Sequence, residues 1–134
     1  MDARDRHADG DGAAGELVVP SAPRSVAVVR RYAVDACRAL GWGDSADTVA
    51  LLVTEVATNA VLHAYGPDIR VRVLDRGRRL RVEVFDGSTV QPSQRRSPPG
   101  SENGRGLGIL DSLAVSWGFD TVLGGKTAWF EIEN

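Results

Sequence analysis

Residues 54–64 read TEVATNAVLHA, and this stretch decides the fold. Its side chains Glu55, Asn59 and His63 recur at every fourth position, so on an α-helix they lie along one narrow face. Nearly all of its other residues are Ala, Val or Leu. The stretch therefore predicts a helix that buries most of its surface and keeps one polar stripe.

Helices and strands are predicted on both sides of this segment. Strands are indicated where apolar and polar residues alternate, and helices where apolar residues recur every three or four positions. In chain order the predictions are a strand at 16–20, a helix capped by Ser21 and ended by Gly41, a helix from Asp44 or Ser45 to about Ala64, strands at 69–75 and 80–86, a helix from about 106 to 115, and strands at 117–122 and 127–133. This order indicates an α+β fold, a two-layer α/β sandwich with helices on one face of a mostly antiparallel mixed sheet.

Length, composition and charge limit the classes of protein to which the chain can belong. With 134 residues, 43% of them hydrophobic, the chain suits one domain at 16–134, preceded by a disordered tail at 1–15. There is no unbroken run of about 18 apolar residues, so we expect no membrane span and a cytoplasmic protein. The net charge of −2 gives no general attraction to nucleic acid, and Cys37 is the only cysteine. The arginines crowded into 70–81 are interpreted as a solvated sheet face, since no aromatic residues interleave with them.

Asp86 ends the second of the alternating strands. Strand periodicity places it on the same face as Val82 and Val84, so its carboxylate points into the core layer and needs a hydrogen-bonding partner. The exocyclic amino group of adenine is a suitable donor. The alternative is an Asp that begins a turn before Gly87, which is a common use of Asp-Gly.

The polar stripe of the central helix is chemically suited to a nucleotide site. The Glu55 carboxylate can act as a general base, and the Asn59 carboxamide oxygen can ligate Mg²⁺, which shares oxygen ligands with phosphates. The alternative is that both belong to the exposed side of an amphipathic helix. His63 is interpreted as a packing residue at the helix end.

A glycine-rich segment leads into the third helix. It comprises Gly104, Arg105, Gly106, Leu107 and Gly108. Glycines let the backbone approach phosphate, a helix N-terminus offers N–H groups, and Arg105 can pair with a terminal phosphate. The spacing does not fit a dinucleotide fingerprint, and the P-loop-like GGKT at 124–127 lacks both the first glycine and a following helix. The Pro-rich loop at 91–103 is interpreted as a lid.

Together these residues resemble the GHKL ATPase superfamily, which includes gyrase and the catalytic domains of histidine kinases. The N-box is similar to 55–64, the first glycine box to 85–88, the second to 104–108, and the last-strand threonine motif to GKTAWF at 125–130. The short chain resembles, more narrowly, the bacterial anti-sigma factor serine/threonine kinases. The resemblance covers residues 16–133.

The resemblance implies roles for individual residues and two ligands, ATP and Mg²⁺. It implies that Asn59 holds the metal and that Asp86 reads adenine. The second glycine box with Arg105 would receive the phosphates, and Thr127 would belong to the nucleotide site. Glu55 would be the catalytic base that activates a substrate serine hydroxyl or a water. Strand alternation, however, puts Thr127 on the face opposite Ala128 unless a bulge intervenes.

The function implied by the resemblance is an ATP-dependent protein serine/threonine kinase that acts as an anti-sigma factor. Its partners would be a sigma factor and a small antagonist protein, which it phosphorylates, and a homodimer is compatible with the resemblance. The alternative is a nucleotide-regulated binding module without significant kinase activity. Ser88 and Val90 stand at two usual glycine positions of the first glycine box and favour the alternative, whereas Glu55, Asn59 and Arg105 favour the kinase.

Overall fold

The described part of the chain forms three α-helices and five strands. The structure is a computed structural model that describes the backbone of residues 12–63, 66–87, 102–122 and 124–133, and the side chains of 15–63, 66–87, 108–122 and 124–133. The elements are β1 (Gly12–Pro20), α1 (Ser25–Ala39), a 3₁₀ turn (Gly43–Ser45), α2 (Ala46–His63), β2 (Asp68–Asp75), β3 (Arg79–Asp86), α3 (Glu102–Leu113), β4 (Ser116–Val122) and β5 (Gly125–Glu133).

The strands form one sheet in the order β1-β2-β3-β5-β4. Every pairing among them is antiparallel, so the predicted fold class is confirmed and the sheet is simpler than the mixed one expected. One face carries the helices and the other faces outward, as antiparallel sheets allow. The core lies between the helices and the inner face, where Val71, Val82, Val84 and Phe130 are fully buried.

Helix α2 is the centre of the helical layer. It packs against α1, α3, β3 and β5. The predicted core side is confirmed, because Val49, Leu52, Val53, Val56 and Ala60 are all buried. The stretch Gly43–His63 is long and apolar enough, by length and composition alone, to cross a membrane. Its apolar side packs inside the protein, which is how a core helix passes the same test.

Several predicted boundaries differ from those of the structure. Helix α1 begins at Ser25, with Arg24 rather than Ser21 at its N-cap, and a turn in which the Ser25 N–H donates to the Ala22 carbonyl separates Ser21 from the helix. Strand β1 begins at Gly12, so residues 12–15 belong to the sheet and not to the predicted tail, whose residues 1–11 lie outside the described part. Helix α3 begins at Glu102, so the predicted loop can extend only to residue 101. Leu113, the last residue of α3, is 45% exposed.

Charged pairs cover the outer face of the sheet, as predicted for the arginine-rich hairpin. Arg81 donates to Glu83 at 2.8 Å and to Glu131 at 3.1 Å, and its guanidinium lies 4.2 Å from the ring centre of Trp129. Burial alone would raise the pKa of Glu131, but the hydrogen bonds from Arg81 and Arg79 bring that pKa below its ordinary value. Arg79 and Arg81 thus form ion pairs within the protein.

The two faces of the sheet should respond differently to the same substitution. Val82 is fully buried in β3, whereas Val18 in β1 is 49% exposed. We expect Val82→Ala to lower the free energy of unfolding by about 1.5–3 kcal/mol, since it removes buried methyl groups and leaves a cavity. Val18→Ala, the matched control, should change it by less than about 0.5 kcal/mol. Urea denaturation of both variants measures this, and equal losses would contradict the assignment of faces.

Candidate nucleotide site

Asp86 is buried at the end of β3, on the inner face of the sheet. Its exposed fraction is 1%, and it lies opposite Lys126 of β5 and Ile69 of β2 in the strand register. The prediction that its carboxylate points into the core layer and has a hydrogen-bonding partner is confirmed. The alternative, an Asp that begins a turn before Gly87, does not account for the buried ion pair, and the residues that follow Gly87 lie outside the described part.

One partner of Asp86 within the protein is Lys126. The Lys126 ammonium Nζ donates to Asp86 Oδ2 at 2.7 Å, and Lys126 is only 4% exposed. Sequence reasoning missed this residue, since it treated Lys126 only as part of a motif centred on Thr127. A carboxylate has about four lone-pair sites, so pairing with Lys126 is compatible with a further donor at Asp86.

Glycines bring three segments of backbone together around Asp86. A Cβ on Gly66 would lie 3.0 Å from the Gly87 Cα atom, so any side chain there would force the two segments apart. A Cβ on Gly125 would overlap the Asp86 carbonyl oxygen and lie 2.9 Å from Phe85 Cζ. Only glycine permits these approaches, so the glycines allow the three backbone segments to pack tightly against one another beside the Asp86 carboxylate.

The polar stripe of α2 ends three residues before Gly66, one of the glycines in these contacts. Glu55, Asn59 and His63 are all half-buried, and His63 is the last residue of the helix. Gly66, three residues further on, makes the close approach to Gly87. The C-terminal end of α2, which carries Asn59, is thus three residues before Gly66, and Gly66 contacts the residue that follows Asp86. The interpretation of this stripe as simply solvent-exposed does not describe its half-buried side chains.

The second glycine box lies inside α3. Gly104, Arg105, Gly106 and Leu107 belong to the first two turns of this helix, and their side-chain environment lies outside the described part. Gly108 is exposed, with open space where a Cβ would project. The first four N–H groups of a helix have no acceptor within it, so the start of α3 can receive an anion. Since α3 packs against α2, it is on the same side of the sheet as Asp86.

Thr127 is not brought to Asp86. It lies opposite Phe85 in the register and lines a groove on the outer face with Glu16, Arg70, Arg72, Glu83 and Phe85. The ladder between β3 and β5 runs without a bulge from Arg79 to Asp86, so alternation holds and Thr127 points away from the helices. The structure therefore does not support Thr127 as a nucleotide-binding residue, and places Lys126 on the face where Thr127 was expected.

The comparisons with known proteins agree with this geometry. A family model described as a histidine kinase-like ATPase domain matches residues 19–131, which include β3, α2, α3 and most of β5. A search of curated proteins gave no match.

Removing one member of the Asp86–Lys126 pair should destabilise the protein strongly, whereas replacing both members with apolar residues should change its stability much less. We expect the single variant Asp86→Leu, which leaves a buried ammonium without its carboxylate, and the single variant Lys126→Met each to lower the free energy of unfolding by about 3–5 kcal/mol. The double variant Asp86→Leu/Lys126→Met should recover most of this loss, because a buried ion pair and an apolar pair of similar volume are often nearly equal in stability. Chemical denaturation of the wild type, both single variants and the double variant measures the coupling. Additive losses would show that the two side chains do not interact.

Proposed function

Since the chain belongs to the histidine kinase-like ATPase family, we propose that this ATP-binding domain is a protein serine/threonine kinase of the anti-sigma factor type. It would phosphorylate a small antagonist protein and bind a sigma factor. The observation that carries the nucleotide part of this proposal is the buried Asp86 carboxylate beside the glycine backbone at 66, 87 and 125. A carboxylate buried to this degree needs hydrogen-bond donors, and the amino group of a base can supply one.

Each residue of the site has a role in this proposal. Asp86 accepts a hydrogen bond from the adenine amino group. Asn59 would hold Mg²⁺, which shields the charge of the phosphates when bound. The N–H groups at the start of α3 and the Arg105 guanidinium would bind the phosphates. These roles divide the site into a base end at β3 and β5 and a phosphate end at α3.

Glu55 would take the proton in the transfer step. The serine Oγ of the substrate forms a bond to the terminal phosphorus while the bond from that phosphorus to its bridging oxygen breaks, and ADP leaves. Glu55 accepts the hydroxyl proton as this happens. In phosphoryl transfer such a residue mainly positions the nucleophile, and metal and arginine stabilise the charge.

The second candidate is a nucleotide-regulated binding module without significant kinase activity. One feature favours it: Ser88 and Val90 stand at two glycine positions of the usual first glycine box. Both candidates require nucleotide binding, and they differ in whether phosphate reaches a protein hydroxyl.

Nucleotide should stabilise the fold. A ligand that binds only the folded state adds about 2.7 kcal/mol to the free energy of unfolding at a concentration of about 100 times Kd. We therefore expect Mg-ATP to raise the melting temperature and to give a measurable heat of binding in calorimetry. No shift and no heat at millimolar Mg-ATP would reject both candidates.

Substitutions on α2 should separate binding from chemistry. Glu55→Ala and the isosteric Glu55→Gln should keep ATP affinity and lower transfer from labelled ATP to a candidate antagonist protein by roughly 10²–10⁴, the usual contribution of a positioned general base. Asn59→Ala should weaken both Mg-ATP binding and transfer, because it removes the metal ligand.

The kinase proposal is decided by the wild-type and Glu55 proteins together. Transfer by the wild type that is lost in folded Glu55→Gln supports the kinase. Tight ATP binding without transfer to any candidate antagonist supports the binding module. Undiminished transfer in folded Glu55→Gln would remove Glu55 from the chemistry.

A further inference from the structure

Lys126 is the only lysine in a sequence that has sixteen Lys and Arg residues in total. The arginines of the β2–β3 hairpin are exposed or half-buried on the outer face, whereas Lys126 is buried on the inner face with Asp86. An ammonium is compact and has three donors, whereas a guanidinium is a wide planar fork. The chain thus uses its one lysine where a small cation can fit beside a buried carboxylate.

Stability does not explain this ion pair. A buried salt bridge loses the hydration of both charges, and a well-packed apolar pair is often as stable or more so. The pair also stands at one end of the β3–β5 ladder, beside the close glycine contacts at 66, 87 and 125, and not in the middle of the core. A charged pair in this position is better suited to recognising a ligand than to holding the sheet together.

We propose that Lys126 is a specificity-determining residue that donates a hydrogen bond to ring nitrogen N1 of adenine, while Asp86 accepts one from the neighbouring amino group. This inference rests on the proposed function, since it requires that the site binds ATP. The donor Nζ and the acceptor carboxylate are side by side, 2.7 Å apart. The Watson–Crick edge of adenine presents an amino donor next to a ring acceptor, so the two patterns are complementary.

The sheet holds both groups in place for this task. Asp86 and Lys126 are directly opposite each other on adjacent strands, so their separation is set by backbone hydrogen bonds and not by a loop. Guanine presents the inverse pattern, with an acceptor oxygen where adenine has its amino group and an N–H at N1. In the same pose it would set a donor against Lys126 and an acceptor against Asp86, so the pair selects adenine by repulsion as well as attraction.

Base analogues test the proposal on the unmodified protein. In calorimetry, 1-deaza-ATP, which lacks the N1 acceptor, should bind about tenfold or more weakly than ATP, the expected loss for one hydrogen bond to a charged group. The control 7-deaza-ATP alters the other edge of the ring and should bind like ATP. Equal affinity for ATP and 1-deaza-ATP would overturn the role of Lys126 and leave the proposed function standing. Failure of ATP itself to bind would overturn both.

The Lys126→Met variant tests the same contact from the protein side. It should bind ATP more weakly than the wild type does and no longer distinguish ATP from 1-deaza-ATP. A folded Lys126→Met variant that still prefers ATP over 1-deaza-ATP would overturn the proposal.

The single lysine gives a second readout that does not depend on the stability of that variant. Protein labelled with ¹⁵N at the lysine side chain has one Nζ signal, which ATP should shift and 1-deaza-ATP should shift less. The Arg70→Lys variant adds a control lysine on the outer face, and its signal should not respond. An Nζ signal of Lys126 that is unchanged by saturating ATP, or that shifts equally with both nucleotides, would overturn the proposal.

Discussion

The register between β3 and β5 is the constraint on which the rest of this structure depends. These two strands are central in the sheet, and their pairing decides which side chains of each face the helices. A shift of one residue in β5 would exchange its two faces, since side chains alternate along a strand. Phe130 would then leave the core, Lys126 would leave Asp86, and Thr127 would turn inward. Core packing and the candidate site are therefore fixed by the same set of backbone hydrogen bonds.

Helix α2 supplies the second half of the site because it must also complete the core. Its apolar residues cover the inner face of the sheet, and this orientation leaves Glu55, Asn59 and His63 half-buried along the remaining stripe. The helix then ends just before Gly66, whose backbone touches Gly87. Hydrophobic packing thus fixes the orientation of α2, and a glycine contact fixes the chain three residues beyond its end.

The local sequence pattern was sufficient to predict which helices and strands form. It was insufficient to predict the role of a residue that interacts with a partner far away in the sequence. Alternation in β3 predicted that Asp86 faces the core, because strand periodicity is a property of neighbouring residues. It could not reveal Lys126, which is 40 positions away and meets Asp86 only through the pairing of β3 with β5. Thr127 was expected in the site by resemblance, although the alternation of β5 already placed it opposite Ala128. One feature of the sequence could have pointed to Lys126: it is the single lysine, and the alternation of β5 places it on the face that packs on the helices.

The sheet order has a consequence for how the site comes into being. The pairs β2–β3 and β4–β5 are hairpins of neighbouring strands, whereas β3–β5 joins segments that are far apart in the chain. Contacts of this kind require the closure of long loops and are typical of slow steps in folding. Asp86 and Lys126 therefore meet only when the two hairpins dock, and neither hairpin contains this ion pair by itself. A nucleotide that contacts both would act as a clamp between the hairpins, slowing the unfolding of the domain and not hastening its folding.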